Sequence, residues 1–228
     1  MPHVFDAIPY VPFIRKFDAS ENRKISDLCS SLHSEAATLQ SCIALFDHAS
    51  TITDSIQKKR QNHTSGTSPE VEREDRVTRS WPFIAAREAL SSLYNFHWAL
   101  KELSSVVNES AARERLPNPT GVETSLNNFE KRFNKALLAR HAASHRTELQ
   151  NNVEKNAHKA ALSSGPILKP KGTALMMSDC LVNRTYTGTR KGELLKFDVT
   201  WENFVAVLET YNEVIAFVAV DEWLPPSN

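Results

Sequence analysis

Residues 21–56 read ENRKISDLCSSLHSEAATLQSCIALFDHASTITDSI, and this stretch decides the fold class. Within it Ile25, Leu28, Leu32, Ala36, Leu39, Ile43 and Phe46 recur at alternating three- and four-residue steps. That spacing collects them on one apolar face of an α-helix. Three more segments follow the same rule. From Phe83 to Val107 the stripe is Phe83, Ala86, Leu90, Leu93, Leu100 and Val107, with Tyr94, Phe96 and Trp98 beside it, which predicts a helix buried on more than one side. After PNPTG at residues 117–121, Val122, Leu126, Phe129, Phe133 and Leu137 carry a third helix into RHAASHRTEL. The pattern continues to about Ala161, with Asn151, Asn152 and Asn156 marking a break. The fourth helix starts after Thr200, a side chain suited to an N-cap, with Glu202 in the first turn, where the helix dipole favours an anion. Its face is Phe204, Val207, Leu208, Tyr211, Ile215 and Val218. Four amphipathic helices, with no helix–strand alternation and no internal repeat, predict an all-α, four-helix up-down bundle forming a single domain over residues 1–228.

The joints between helices are marked by breakers. The chain has six glycines and eleven prolines, and apart from Gly121 at the start of the third helix the glycines fall where helical periodicity is missing. Residues 57–80, QKKRQNHTSGTSPEVEREDRVTRS, are almost free of large apolar groups and predict a mobile polar linker. Residues 163–199 hold four glycines and two prolines and then the β-leaning LVNRTYTGTRKGELLKFDV, which predicts a loop or small hairpin turning near Gly188 to Gly192.

The 228 residues carry 27 Lys+Arg against 27 Asp+Glu, so a nucleic-acid or membrane role cannot rest on net charge and needs a local patch. No window has the apolar length of a membrane span. The opening MPHVFDAIPYVPFIRKF carries three prolines and lacks the layout of a secretory signal, and reads as a packed arm. Cys29, Cys42 and Cys180 form no CxxC pair and are odd in number, which suits reduced thiols in a cytoplasmic protein.

One local patch exists. Between Glu130 and Glu148 the sequence holds Lys131, Arg132, Lys135, Arg140 and Arg146 with His141 and His145, and no acid. Arg140 follows Phe129, Phe133 and Leu137 along the apolar stripe, so its guanidinium is aimed at the seam of the bundle, where a charge needs a partner or a groove. The peptide RHAASH places the polar His141 directly after Arg140, then three more residues, then His145. It resembles the R-[polar]-x(3 to 5)-H motif of the HEPN superfamily, found in abortive-infection and toxin-type ribonucleases, whose helical bundles carry the motif near the end of the third long helix.

The resemblance implies a metal-independent endoribonuclease with a toxin or phage-defence role. In it His145 would be the general acid/base, Arg140 the clamp on the developing phosphorane charge, and His141 an orienting group. Imidazole titrates near working pH and guanidinium matches phosphate, so each role suits its chemistry. Lys131, Arg132, Lys135 and Arg146 would add salt-sensitive phosphate contacts. Residues five apart stand about 140° apart on an ideal helix, so Arg140 and His145 converge only if the helix ends or distorts, or if two chains pool their motifs. The resemblance implies the second, a homodimer, with RNA as substrate, no metal or other cofactor, and a cognate antitoxin or defence protein as further partner.

Rival readings use the same residues. His141 and His145 form an HxxxH pair, but a zinc site would need His97 or His158 as a further ligand, and the HExxH glutamate is missing. Phe96, His97 and Trp98 read as core aromatics rather than a base-stacking box. The non-enzymatic alternative is a helical-bundle interaction module acting as antitoxin, immunity component or scaffold.

Overall fold

The computed structural model describes residues 17–62, 68–111, 113–116, 118–144, 180–191 and 193–218. Expectations for the amino-terminal arm up to residue 16, for the third helix beyond Ser144, and for the loop before Cys180 lie outside them.

The described chain is mostly helical, as the periodicities predict. Helices α1 (Ala19–Asn62), α2 (Pro69–Thr78), α3 (Trp81–Glu109) and α4 (Gly121–Ser144) precede strands β1 (Cys180–Val182), β2 (Thr185–Arg190) and β3 (Glu193–Asp198), and α5 (Trp201–Val218) follows them. Among the described residues no helix is long and apolar enough to cross a membrane. The chain divides into two compact units, each described below by itself.

The first unit takes in the described residues up to Ser41, then Ser92–Phe133, and α5. Helix α1 begins with a reciprocal cap: Asp18 Oδ1 accepts from the backbone N–H of Ser20 at 2.9 Å and of Glu21 at 2.8 Å, while Glu21 Oε2 accepts from the Asp18 N–H at 3.2 Å. The Glu21 N–H, followed by the Ser20 hydroxyl, holds the Asp18 carboxyl below its ordinary range. Ile25, Leu28, Leu32, Ala36 and Leu39 are all buried, as their spacing requires. Four helix segments close on one another. Asn95 of α3 donates to Glu35 of α1 at 3.2 Å, Phe96 of α3 stacks on Phe129 of α4 at 5.2 Å, and Ser125 of α4 donates to Glu213 of α5 at 2.8 Å. Tyr211 of α5 closes the ring against His33 of α1, with its hydroxyl 3.5 Å from Nδ1. Burial pushes the Tyr211 phenol and the Cys29 thiol each up to about 12.

The second unit takes in residues 42–91 and 134–200. Here the mobile linker expected over residues 57–80 is corrected. Helix α1 runs on to Asn62, and residues 69–78 form α2, capped by Ser68, whose hydroxyl accepts from the Val71 N–H at 3.4 Å, with Pro69 in its first turn. The physical reason is a charge cluster that apolar counting cannot see. Asp75 is buried, and its Oδ2 lies 2.8 Å from a guanidinium nitrogen of Arg60 and 2.8 Å from one of Arg79. These contacts, that of Arg79 first, hold its carboxyl below the ordinary aspartate value.

The predicted hairpin is a three-stranded antiparallel meander in the order β1-β2-β3, with Cys180 opposite Thr187 and Gly188 opposite Leu195. Asn183 and Lys191 take positive φ angles of 54° and 50° at its two turns, which strand twist favours there. Arg184 ties the sheet to α1. Its Nε donates to the Val199 carbonyl at 2.7 Å, its Nη1 pairs with Asp47, and its guanidinium lies over the Phe46 ring at 4.9 Å.

Helix α3 departs from its predicted face in two places. Its buried positions span somewhat more than half its circumference at 100° per residue, as expected, but Phe83 is 36% and Trp98 55% exposed. Trp98 lies opposite the buried arc, and Phe83 just beyond one edge of it. Trp98 falls in the series 84, 87, 91, 94, 98, 101, 105, which contains Arg87, Ser91, Lys101 and Ser105. That polar stripe is the signal that could have placed the indole in solvent.

Candidate nucleic-acid site on the third long helix

Helix α4 carries every residue of the candidate site that the described chain contains. Its start is fixed by local chemistry. Asn118 Oδ1 accepts from the Thr120 N–H at 3.3 Å, the Asn118 carbonyl accepts from the Gly121 N–H at 3.1 Å, and Thr120 begins the helical ladder by accepting from Thr124 N at 2.9 Å. Gly121 is required by its neighbour: a Cβ there would sit 2.7 Å from the ring carbons of Phe217 on α5.

From this start the winding of the helix assigns the faces. Val122, Ser125, Phe129, Phe133, Ala136 and Ala139 are buried. Arg140 lies within about 20° of that stripe at 100° per residue, and it is half-buried with its Nε shielded from solvent. The guanidinium is thus partly withdrawn from water, as the seam argument requires. His141 lies on the described backbone of α4, while His145 and Arg146 lie outside the described residues.

The basic residues do not gather around Arg140. Lys131, Arg132 and Lys135 are all exposed. Lys131 and Lys135 share one face of α4, on the side of the helix away from Arg140. Arg132 stands between these faces and already has contacts: its Nη2 donates to the Glu202 carbonyl at 3.3 Å in the first turn of α5, and its guanidinium lies 5.8 Å from the Phe133 ring centre. The acid-free run of sequence therefore becomes a band wound around a helix rather than one concave patch.

Spacing gave no hint of the contact beside it. His97 Nε2 lies 2.8 Å from Glu130 Oε1, and the imidazole stacks on Phe129 at 6.2 Å with 4° between the planes. His97 is engaged by a carboxylate and an aromatic face of its own unit. Among the described residues there is no group of three or more His, Cys, Asp or Glu able to hold a metal ion.

Comparisons with models of protein families, with curated proteins and with solved structures each found no match to this chain.

Proposed function

We propose that the chain is a metal-independent endoribonuclease of the HEPN type, acting as a homodimer in which Arg140 and His145 of two copies face one RNA strand. The reading rests on the RHAASH motif, supported by a mostly helical fold in which Arg140 and His141 lie on α4, the third long helix. The observation that carries it is the position of Arg140 on the inner side of α4, half-buried and with Nε shielded from solvent. A guanidinium's planar paired donors match a phosphate, which is the role this reading gives Arg140.

The chemistry uses the RNA's own nucleophile. A 2′-hydroxyl gives its proton to a base and attacks the adjacent phosphorus; the 2′-oxygen–phosphorus bond forms and the bond from phosphorus to the 5′-oxygen breaks. The leaving 5′-oxygen takes a proton, so the products are a 2′,3′-cyclic phosphate and a 5′-hydroxyl. His145 serves as the acid/base, Arg140 neutralises the charge gathering on the phosphorane oxygens, and His141 orients one or the other. Lys131, Lys135 and Arg146 supply phosphate contacts.

The test is cleavage of a mixed RNA pool in EDTA by the purified chain beside Arg140→Ala and His145→Ala, with helicity and sedimentation of each checked. Cleavage that survives chelation, leaves cyclic phosphate ends and is lost in both folded variants is expected. Cleavage indifferent to both substitutions overturns the assignment.

A second reading, a non-catalytic interaction module, is favoured by one feature of the second unit. A groove there is lined by Ile52, Val77, Thr78 and Trp81 together with Glu70, Arg73 and Glu74, and Val77 is 50% exposed. If the folded chain cleaves no RNA, this reading takes precedence.

A further inference from the structure

We propose that Trp98, on the solvent side of α3 in the first unit, is a stacking platform for a base of single-stranded RNA, with Lys101 and Lys131 holding the strand's phosphates. The inference rests on the ribonuclease reading and adds to it a substrate-binding contact separate from Arg140.

The argument begins with the neighbouring residue. His97 is fixed by Glu130 at 2.8 Å and by its stack on Phe129, and this sets the rotation of α3 about its axis. One residue further, 100° around the helix, the Trp98 side chain stands 55% exposed. Lys101, exposed, lies three residues on and on the same side of α3. On α4 the exposed Lys131 follows Glu130 just as Trp98 follows His97, so the indole and this ammonium flank the outer side of one helix–helix contact.

The surroundings select the occupant. A protein interface needs an apolar centre with several large side chains. Around Trp98 the exposed positions of α3 are Asn95, Lys101 and Ser105, the half-buried Tyr94 lies one turn before it on the same stripe, and the half-buried Glu102 lies on the flank away from α4. One exposed indole with a half-buried Tyr94 one turn away, set among polar groups with Lys101 on the same side of α3 and Lys131 exposed on α4, matches the combination that holds single strands: bases on rings and phosphates on the cations. Glu130, which precedes Lys131 on α4, is engaged by His97.

The experiment is fluorescence anisotropy of a labelled 12-nucleotide oligouridylate with the full chain carrying Arg140→Ala, so that the probe stays intact. Trp98→Ala, Trp98→Leu and Trp98→Phe are compared on that background, with thermal melts to verify folding. Trp98→Ala and Trp98→Leu are expected to weaken binding roughly tenfold or more, and Trp98→Phe to stay within about threefold of the parent. Lys101→Ala should lower the slope of log affinity against log salt by about 0.7. In the otherwise native chain, Trp98→Ala should raise KM and leave kcat unchanged. Full affinity in Trp98→Leu, or a change in sedimentation without a change in RNA affinity, overturns the platform. If the native chain cleaves RNA while the Trp98 variants bind it normally, only the platform falls. If neither binding nor cleavage is seen, both readings fall.

Discussion

The ring of Phe217 occupies the space a side chain at residue 121 would need: a Cβ on Gly121 would lie 2.7 Å from the Cγ and both Cδ atoms of that ring. The contact joins the first turn of α4 to the last turn of α5 within the first unit. Because Cγ lies on the axis of ring rotation, flipping the ring about its Cβ–Cγ bond does not relieve the contact.

Gly121→Ala should therefore destabilise. The gain in helix propensity, at most about 1 kcal/mol, opposes an overpacking cost of about 1–3 kcal/mol. A net loss of about 1–2 kcal/mol is expected in urea unfolding. Adding Phe217→Ala should remove most of the penalty specific to Gly121→Ala, which a double-mutant cycle measures; strict additivity of the two changes would show that the ring is not the obstacle.

Asp75 supports α2 against the end of α1 through Arg60 and Arg79. Their side chains are 31% and 60% exposed, so solvent screening reduces the cost of breaking the cluster below that of a fully buried pair. Asp75→Asn should cost about 1–3 kcal/mol and speed proteolysis at residues 69–78. The carboxyl's folded pKa is lowered below 3.8, so the unfolded chain takes up the proton more readily. The stabilisation is thus full above the ordinary aspartate range and is lost as pH falls through the folded value. Acid titration of wild type and Asp75→Asn, followed by circular dichroism, should show the two stabilities converging below about pH 4.

Arg184 contributes a stack, an ion pair and a backbone hydrogen bond at one point between the sheet and α1. Arg184→Ala should lower the stability of the second unit by about 1–3 kcal/mol. Arg184→Lys should not restore it, since an ammonium lacks both the plane that covers Phe46 and the fork that reaches Asp47 and Val199 together. Equal stability of the Lys variant and wild type would show that charge alone holds the sheet.

Lys191 holds a φ of 50° at the β2–β3 turn, a conformation that asparagine and glycine adopt at less cost. Lys191→Asn gives the turn an Asn-Gly pair, the preferred two-residue hairpin connection. A rise of about 0.5–1 kcal/mol in stability is expected from chemical denaturation. A fall would mean that the lysine side chain matters more than its backbone angle.

The pattern of Ile25, Leu32, Leu39 and Ile43 on α1, and of Phe204, Val207 and Tyr211 on α5, was legible because helical periodicity is a local property and every one of these residues is buried. The same reasoning misplaced Trp98, because Arg87, Ser91, Lys101 and Ser105, which outnumber Ile84 and Tyr94 on its stripe, carry no weight in a count of aromatic neighbours. It also treated residues 57–80 as a mobile linker, because counting apolar groups gives no credit to a buried carboxylate held by two arginines. For the candidate site, the sequence marked the inward position of Arg140. The same spacing already set Lys131 and Lys135 on the opposite side of the helix, which reading the acid-free run as one patch overlooked.

The sequence alone therefore determined the four long helices, most of the faces they turn inward, and a small β insertion before the last of them. These follow from interactions between residues three or four apart, or across a tight turn, and such neighbours are written side by side in the chain. Tertiary structure alone decided that Asp75 meets Arg60, that Arg184 lies on Phe46, that His97 finds Glu130, and that Gly121 must stay bare beneath Phe217. These partners are between 15 and 138 positions apart, and their meeting depends on how whole elements pack, which no local spacing encodes.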